Sequence, residues 1–377
     1  MVRHGVRRAT ETATGRAMRG GSRYLVLCVT ALVLLACARP GAETGAPAAA
    51  PPASESGAPA ASTDAPRRES VRISYSSVDA SQIPLWVAQD AGYLAAEGLD
   101  AELLFVESGS KALQALLAGD APLGAIGAAA VVAAVAGGAD LAIVASLADR
   151  YPYKLLAAPS IQQPTDLRGK RLGVSRFGSS SDMATRAALK LFGLSADADV
   201  QLVQIGGDVQ RTAAMQAGSI DAAVLNPPAT TVVRKAGFVE LVDLSRLPEA
   251  DYQHNTAVTT RSYIEAHPDI VQRYVRALVE ATHYAYQEKE ATKRIITHYN
   301  QLEDPDGLEE AYLQYYGPGA AMVTHTLDPK PQALATTIEE VAADRPDARR
   351  LRYEDLVDDR FVRALDASGF VRELYGD

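Results

Sequence analysis

Leu116-Leu117-Ala118-Gly119 and Met215-Gln216-Ala217-Gly218 end two helical stretches in the same way, 99 positions apart. At that offset Val71 falls on Lys170, Asp79 on Gly178, Leu103 on Leu202 and Gly127 on Asn226. Around the first copy, short apolar or β-branched runs at 71–75, 101–106 and 123–126 alternate with amphipathic stretches at 85–91, 112–117 and 128–135. Around the second, runs at 171–174, 200–205 and 222–225 alternate with 182–192, 210–216 and 229–235. Strands separated by helix-length segments are parallel neighbours joined by crossovers, and a pattern recurring at a fixed offset predicts two lobes of one α/β architecture. Beyond them the sequence predicts a strand at 257–260 and helices at 268–286, 291–299, 307–316, 331–342 and 353–367, a tail expected to pack on lobe one.

The 377 residues suffice for two folding units with extensions. Asp and Glu number 46 against 37 Lys and Arg, a net charge of −9. Residues 1–36 hold six Arg and one Glu, which leaves −14 on the remainder and argues against nucleic acid as the main partner. Aromatic residues make up 6%, few for a sugar-stacking or base-stacking platform. The basic stretch from Arg3 to Arg23 precedes an apolar run 13 residues long, 24–36. That run is shorter than the ~20 residues of a spanning helix and suits a secretory signal peptide, expected over 1–36. It ends Leu34-Leu35-Ala36-Cys37, similar to the bacterial lipoprotein processing box. Cys37 is therefore expected to carry lipid and to hold the exported chain on the outer face of the cytoplasmic membrane, in a periplasm or at the cell surface; Met18 is an alternative start. Cys28 is the only other cysteine, so no disulfide is expected. Residues 38–66, almost wholly Ala, Pro, Gly, Ser and Thr, offer no core and read as a disordered tether, with 37–70 as the linker.

In open α/β sheets, ligands gather beyond the carboxyl ends of the strands, where helix N-terminal amides face outward. In lobe one those turns carry Ser77 and Asp79, leading to Ile83 and Trp86; then Glu107, Ser110 and Lys111; then Gly127 and Ala128. In lobe two they carry Arg176, Gly178, Ser179 and Ser180; then Asp208; then Asn226 and Pro227. His254 is expected to face the same space. Asn226 is the leading candidate, since its amide both donates and accepts. Lys111 and Arg176 would suit an anion, whereas Asp79 and Glu107 would suit an amine or ring nitrogen. For Trp86 and His254, core packing is the competing reading.

Pro84-Leu85-Trp86-Val87-Ala88-Gln89-Asp90-Ala91-Gly92-Tyr93, Glu97-Gly98-Leu99, Ser108-Gly109-Ser110-Lys111, Ala118-Gly119-Asp120 and Asp166-Leu167-Arg168-Gly169-Lys170-Arg171 carry a resemblance over about residues 71–290. The chain resembles the nitrate, sulfonate, taurine and thiamine-precursor branch of ABC-transporter solute-binding lipoproteins. The resemblance implies a two-lobed periplasmic-binding-protein fold (type II), each lobe a mostly parallel sheet flanked by helices. Crossover strands are expected near 154–160 and 255–261, giving lobe one 71–157 plus 260–377 and lobe two 158–259. It also implies a monomeric receptor that closes on a small organic solute of the sulfonate, nitrate or taurine kind and hands it to a permease worked by an ATPase subunit. A thiamine pyrimidine precursor, or another small amine or aromatic acid, is the alternative solute. No enzymatic activity, cofactor, metal or nucleic-acid partner is expected. Ser108-Gly109-Ser110-Lys111 formally matches the S-x-x-K of penicillin-binding enzymes, but Met183 follows Ser181-Asp182 and K-T-G is absent, so the other elements of that site are missing. The six His include no H-E-x-x-H. A surface-tethered interaction protein without a solute is the remaining competitor.

Overall fold

The computed structural model describes residues 68–376 apart from 197, 248–250, 302–303 and 321. The expected signal peptide, Cys37 with its lipid and the tether through residue 67 lie outside the described residues. In chain order the strands are β1 (Glu69–Tyr75), β2 (Leu99–Phe105), β3 (Leu123–Gly127), β4 (Ala142–Arg150), β5 (Lys154–Ala157), β6 (Arg171–Val174), β7 (Gln201–Gln204), β8 (Ala222–Leu225), β9 (Val239–Asp243) and β10 (Asp251–Thr259). They form two sheets on one plan, β2-β1-β3-β10-β4 and β7-β6-β8-β5-β9.

The register repeats as the sequence does. Ile73 pairs in parallel with Leu103 and Leu123, and Leu172, 99 positions on, pairs in parallel with Leu202 and Ala222. In each sheet the fourth strand is antiparallel to its neighbours: β10 beside β3 and β4, β5 beside β8 and β9. The repeated Ala-Gly has a physical cause. The Gly109–Leu117 helix stops at Ala118, and Gly119 follows at φ 79°. Gly119 then donates to Leu116 and Asp120 to Ala115, each at 3.0 Å. The Asp208–Gln216 helix stops the same way, with Gly218 at φ 67° donating to Met215 at 3.0 Å and Ser219 to Ala214 at 2.9 Å. This is the Schellman closure, in which a left-handed residue lets two amides satisfy the last carbonyls.

Three expectations are corrected. First, β5 lies wholly in the second sheet and β10 wholly in the first, so the chain passes between lobes after β4 and after β9 rather than at 157/158 and 259/260. Each of these strands fills the antiparallel slot of its sheet, a long-range pairing that local patterning does not reveal. Second, the tail serves both lobes. The Pro268–Gln287 helix buries Tyr274, Val275 and Leu278 in the core of lobe one, and Phe361 and Val362 of the Arg360–Ala367 helix join them. The Pro305–Tyr316 helix, however, reaches lobe two through Glu310, which pairs with Lys154 and Arg234 and accepts from Thr231 Oγ1 at 2.7 Å. Beside it Lys235 pairs with Asp304 at 2.6 Å and Asp306 at 2.8 Å. Third, the expected helix at 353–367 breaks into Tyr353–Leu356 and Arg360–Ala367, because Val357 turns extended and bridges Ile143 at the rim of the first sheet.

Candidate functional site

The carboxyl ends of β1, β2, β3, β6 and β7 lead into one cleft between the lobes, with a cavity of about 360 Å³. Ser77, Asp79 and Gly127 line it from lobe one, Ser179, Ser180 and Asp208 from lobe two, and His254 from β10. These seven are the sequence-predicted residues that the structure brings together. The lobes touch here: Gly207 N–H donates to Glu107 Oε1 at 3.0 Å. A Cβ on Gly127 would stand 2.5 Å from Ser180 Oγ, so only a glycine allows this approach.

The other ten predicted residues fall elsewhere. Ile83, Trp86 and Ala128 are fully buried in the core, where the helices they begin turn their apolar faces inward. Trp86 stacks on Tyr299, ring centroids 4.8 Å apart, and meets Tyr75 edge-on at 6.2 Å. It supports two cleft-lining rings and does not line the cleft itself. Lys111 is exposed on the outer side of its helix, while Ser110, Arg176 and Gly178 are half-buried beside the cleft. The Gly178 amide is spent on Asp182 at 2.8 Å. Glu107 adjoins the cavity and serves the interlobe contact. Asn226 and Pro227 are buried behind Asp208. The Asn226 backbone N–H donates to Asp208 Oδ2 at 3.4 Å, and its side-chain amide lies against Asp208 and Tyr153 without a well-formed hydrogen bond.

Sequence reasoning missed Arg211, Tyr153, Asn255 and Tyr299, which all line the cleft. Arg211 follows Asp208 by three residues on one helix, and i,i+3 spacing was the available signal. The other three come from the crossover, β10 and the tail, whose placement only tertiary structure sets. Arg211 is 2% exposed; Nε donates to Val224 O at 3.2 Å, Nη1 to Gly206 O at 2.5 Å and Nη2 to Asp208. Burial pushes the Asp208 carboxyl up to about 6, against the pull of Arg211 and with a further push from Asp79. Burial also lowers His254 to about 4, opposed by Asp79, so its imidazole is neutral at pH 7. Tyr153 is raised well above the usual phenol range by burial and then by Asp79 and Asp208.

Gly206 tests the interlobe contact. Its φ is 125° and a Cβ there would meet Glu107 Oε1 at 2.3 Å, whereas Gly218, also left-handed, opens onto free space. Gly218→Ala is expected to cost about 1–2 kcal/mol from backbone conformation alone. Gly206→Ala is expected to cost at least about 1 kcal/mol more, with the added loss of a hydrogen bond; urea unfolding of the two variants measures the difference.

A family model described as NMT1/THI5 like matches residues 79–292, more than half of the chain. The chain belongs to the NMT1/THI5-like family. A Brucella abortus (strain 2308) relative whose name proposes a binding protein is 28% identical over 198 residues, which are 52% of this chain and 60% of the relative. The chain thus spans three-fifths of that relative's length. Among solved structures, the periplasmic aliphatic sulphonate binding protein SsuA from Escherichia coli superposes with a TM-score of 0.60 at 22% identity, covering 76% of this chain and 98% of that one. The periplasmic nitrate-binding protein NrtA from Synechocystis PCC 6803 superposes with a TM-score of 0.66 at 14% identity, covering 80% and 89%. At these identities the likeness establishes the fold, that of the periplasmic binding proteins. The family resemblance read from Pro84–Tyr93 and the stretches after it is borne out, and so is the two-lobed α/β architecture.

Proposed function

We propose that this NMT1/THI5-like chain is the extracytoplasmic solute-binding subunit of an ABC importer, held at the membrane by lipid on Cys37 and working as a monomer. The observation that carries the reading is the cleft itself. Its walls come from strand ends of both lobes and its volume, about 360 Å³, lies in the range of small-molecule sites. An open form admits the solute, closure wraps it, and the closed form docks on the permease, whose ATPase partner supplies the energy. Closure needs a solute that binds the closed form better than the open one. The Glu107–Gly207 bond and the Gly127–Ser180 approach form only when the lobes meet. The Brucella abortus relative and the SsuA and NrtA structures bear the names of binding proteins, which supports a non-enzymatic role. Two solute classes enter on different grounds. Helix starts at Ser180 and Asp208 bring N-terminal amides and a positive dipole end toward the cleft, as a sulfonate, nitrate or taurine-like anion would require. Asp79, Asp208 and Glu107 suit an amine or ring-nitrogen base instead, a thiamine pyrimidine precursor among them. Small-angle scattering with and without each solute tests closure: a bound solute should shrink the radius of gyration, and a solute that binds without any change would refute closure.

A further inference from the structure

We propose that the cleft selects a small organic cation, a protonated amine or amidine-type base, over a sulfonate- or nitrate-like anion; this rests on the solute-receptor reading and adds the sign of the ligand. An anion site is made from uncommitted N–H groups or a free cation. Here the chain's own carboxylates already occupy amides at the turns. Asp79 Oδ1 accepts from Ser81 N–H at 2.8 Å, Glu107 Oε1 from Gly207 N–H at 3.0 Å, and Asp208 Oδ2 from Asn226 N–H at 3.4 Å. Arg211, the one guanidinium among the described cleft-lining residues, has all three nitrogens directed at Val224, Gly206 and Asp208.

The cleft lining therefore holds two carboxylates against one fully engaged cation, with Glu107 adjoining. Lys111 points to solvent, and Lys154 is paired with Asp243 and Glu310 outside the cleft. Polar side chains in the lining point independently to a ligand. Ser108 and His254 are both more than nine-tenths buried and line the cavity, yet Ser108 Oγ and His254 Nδ1 have no hydrogen-bond partner. Hydroxyl oxygens and a neutral imidazole can all accept from N–H groups. The walls add Tyr75, Phe105, Tyr153 and Tyr299, with Tyr75 and Phe105 5.3 Å apart. Ring faces attract cations and repel anions.

The experiment is isothermal titration of the full chain with benzamidine, phenethylamine and agmatine as cations, and with methanesulfonate, nitrate and benzoate as anions. Native mass spectrometry of the protein as purified precedes it. At least one cation is expected to bind and no anion to do so. Asp79→Asn keeps a side-chain oxygen for the Ser81 cap and removes the charge, so it should weaken the cation at least about tenfold, as losing a charge-assisted hydrogen bond does. Binding of an anion without any cation overturns the proposal and leaves the receptor reading intact. So does cation binding that Asp79→Asn leaves unchanged. A small molecule carried through purification decides by its own charge. No binding and no carried molecule overturns the receptor reading itself, and the proposal with it.

Discussion

Arg211→Met is expected to lower the free energy of unfolding by about 3 to 5 kcal/mol at neutral pH, the cost of removing one partner from a buried ion pair. The side chains of Asp208 and Arg211 are 12% and 3% exposed, so almost no water reaches the pair. With Met at 211, Val224 O and Gly206 O would lose their donors and Asp208 the guanidinium that pulls its carboxyl toward the ionised form. Urea unfolding measures the loss, and the double variant Asp208→Asn with Arg211→Met should recover part of it, since two neutral groups need no counterion. A loss below about 1 kcal/mol would mean that the pair is solvated like a surface bridge. The raised Asp208 carboxyl gives the pH sign. Its folded pKa, about 6, lies above the ordinary ~3.9 of an unfolded chain. The ionised carboxylate thus costs stability above pH 6, and that cost is relieved as pH falls toward 4. In Asp208→Asn this component of the pH dependence should vanish.

Trp86→Ala is expected to cost about 3 to 5 kcal/mol, the usual result of emptying an aromatic site in a packed core. The indole is fully buried, lies parallel to Tyr299 and edge-on to Tyr75, and sits in the lobe-one cluster with Tyr274 and Leu278. Thermal unfolding distinguishes this from the ligand role the sequence left open. A residue that touched the solute would lose affinity with stability intact, whereas Trp86 should lose stability first, and affinity only through Tyr75 and Tyr299.

The repeat was legible because its signals are local. Helix closure at Gly119 and Gly218 needs a left-handed residue, and the paired apolar runs keep one register in both sheets. The turns after β1, β3, β6 and β7 could be named for the same reason, and Asp79, Gly127, Ser180 and Asp208 do meet in the cleft. What failed was direction and distance. A helix start such as Ile83 to Trp86 looks alike whether it faces ligand or core, and only the packing of the 268–287 helix against it decides. Likewise nothing near Tyr299 announces that the tail returns over Tyr75, 224 residues earlier in the chain. The exchange of β5 and β10 between lobes is equally remote from local pattern.

The central claim is that a solute is captured between two lobes that meet at Glu107 and Gly207. Hydrogen exchange at the Gly207 amide reads that contact directly, because this N–H donates across the cleft at 3.0 Å. With a saturating solute found by titration, exchange there should slow while the amides of the Arg360–Ala367 helix, which does not line the cleft, keep their rates. Equal exchange at Gly207 with and without bound solute would contradict capture by closure.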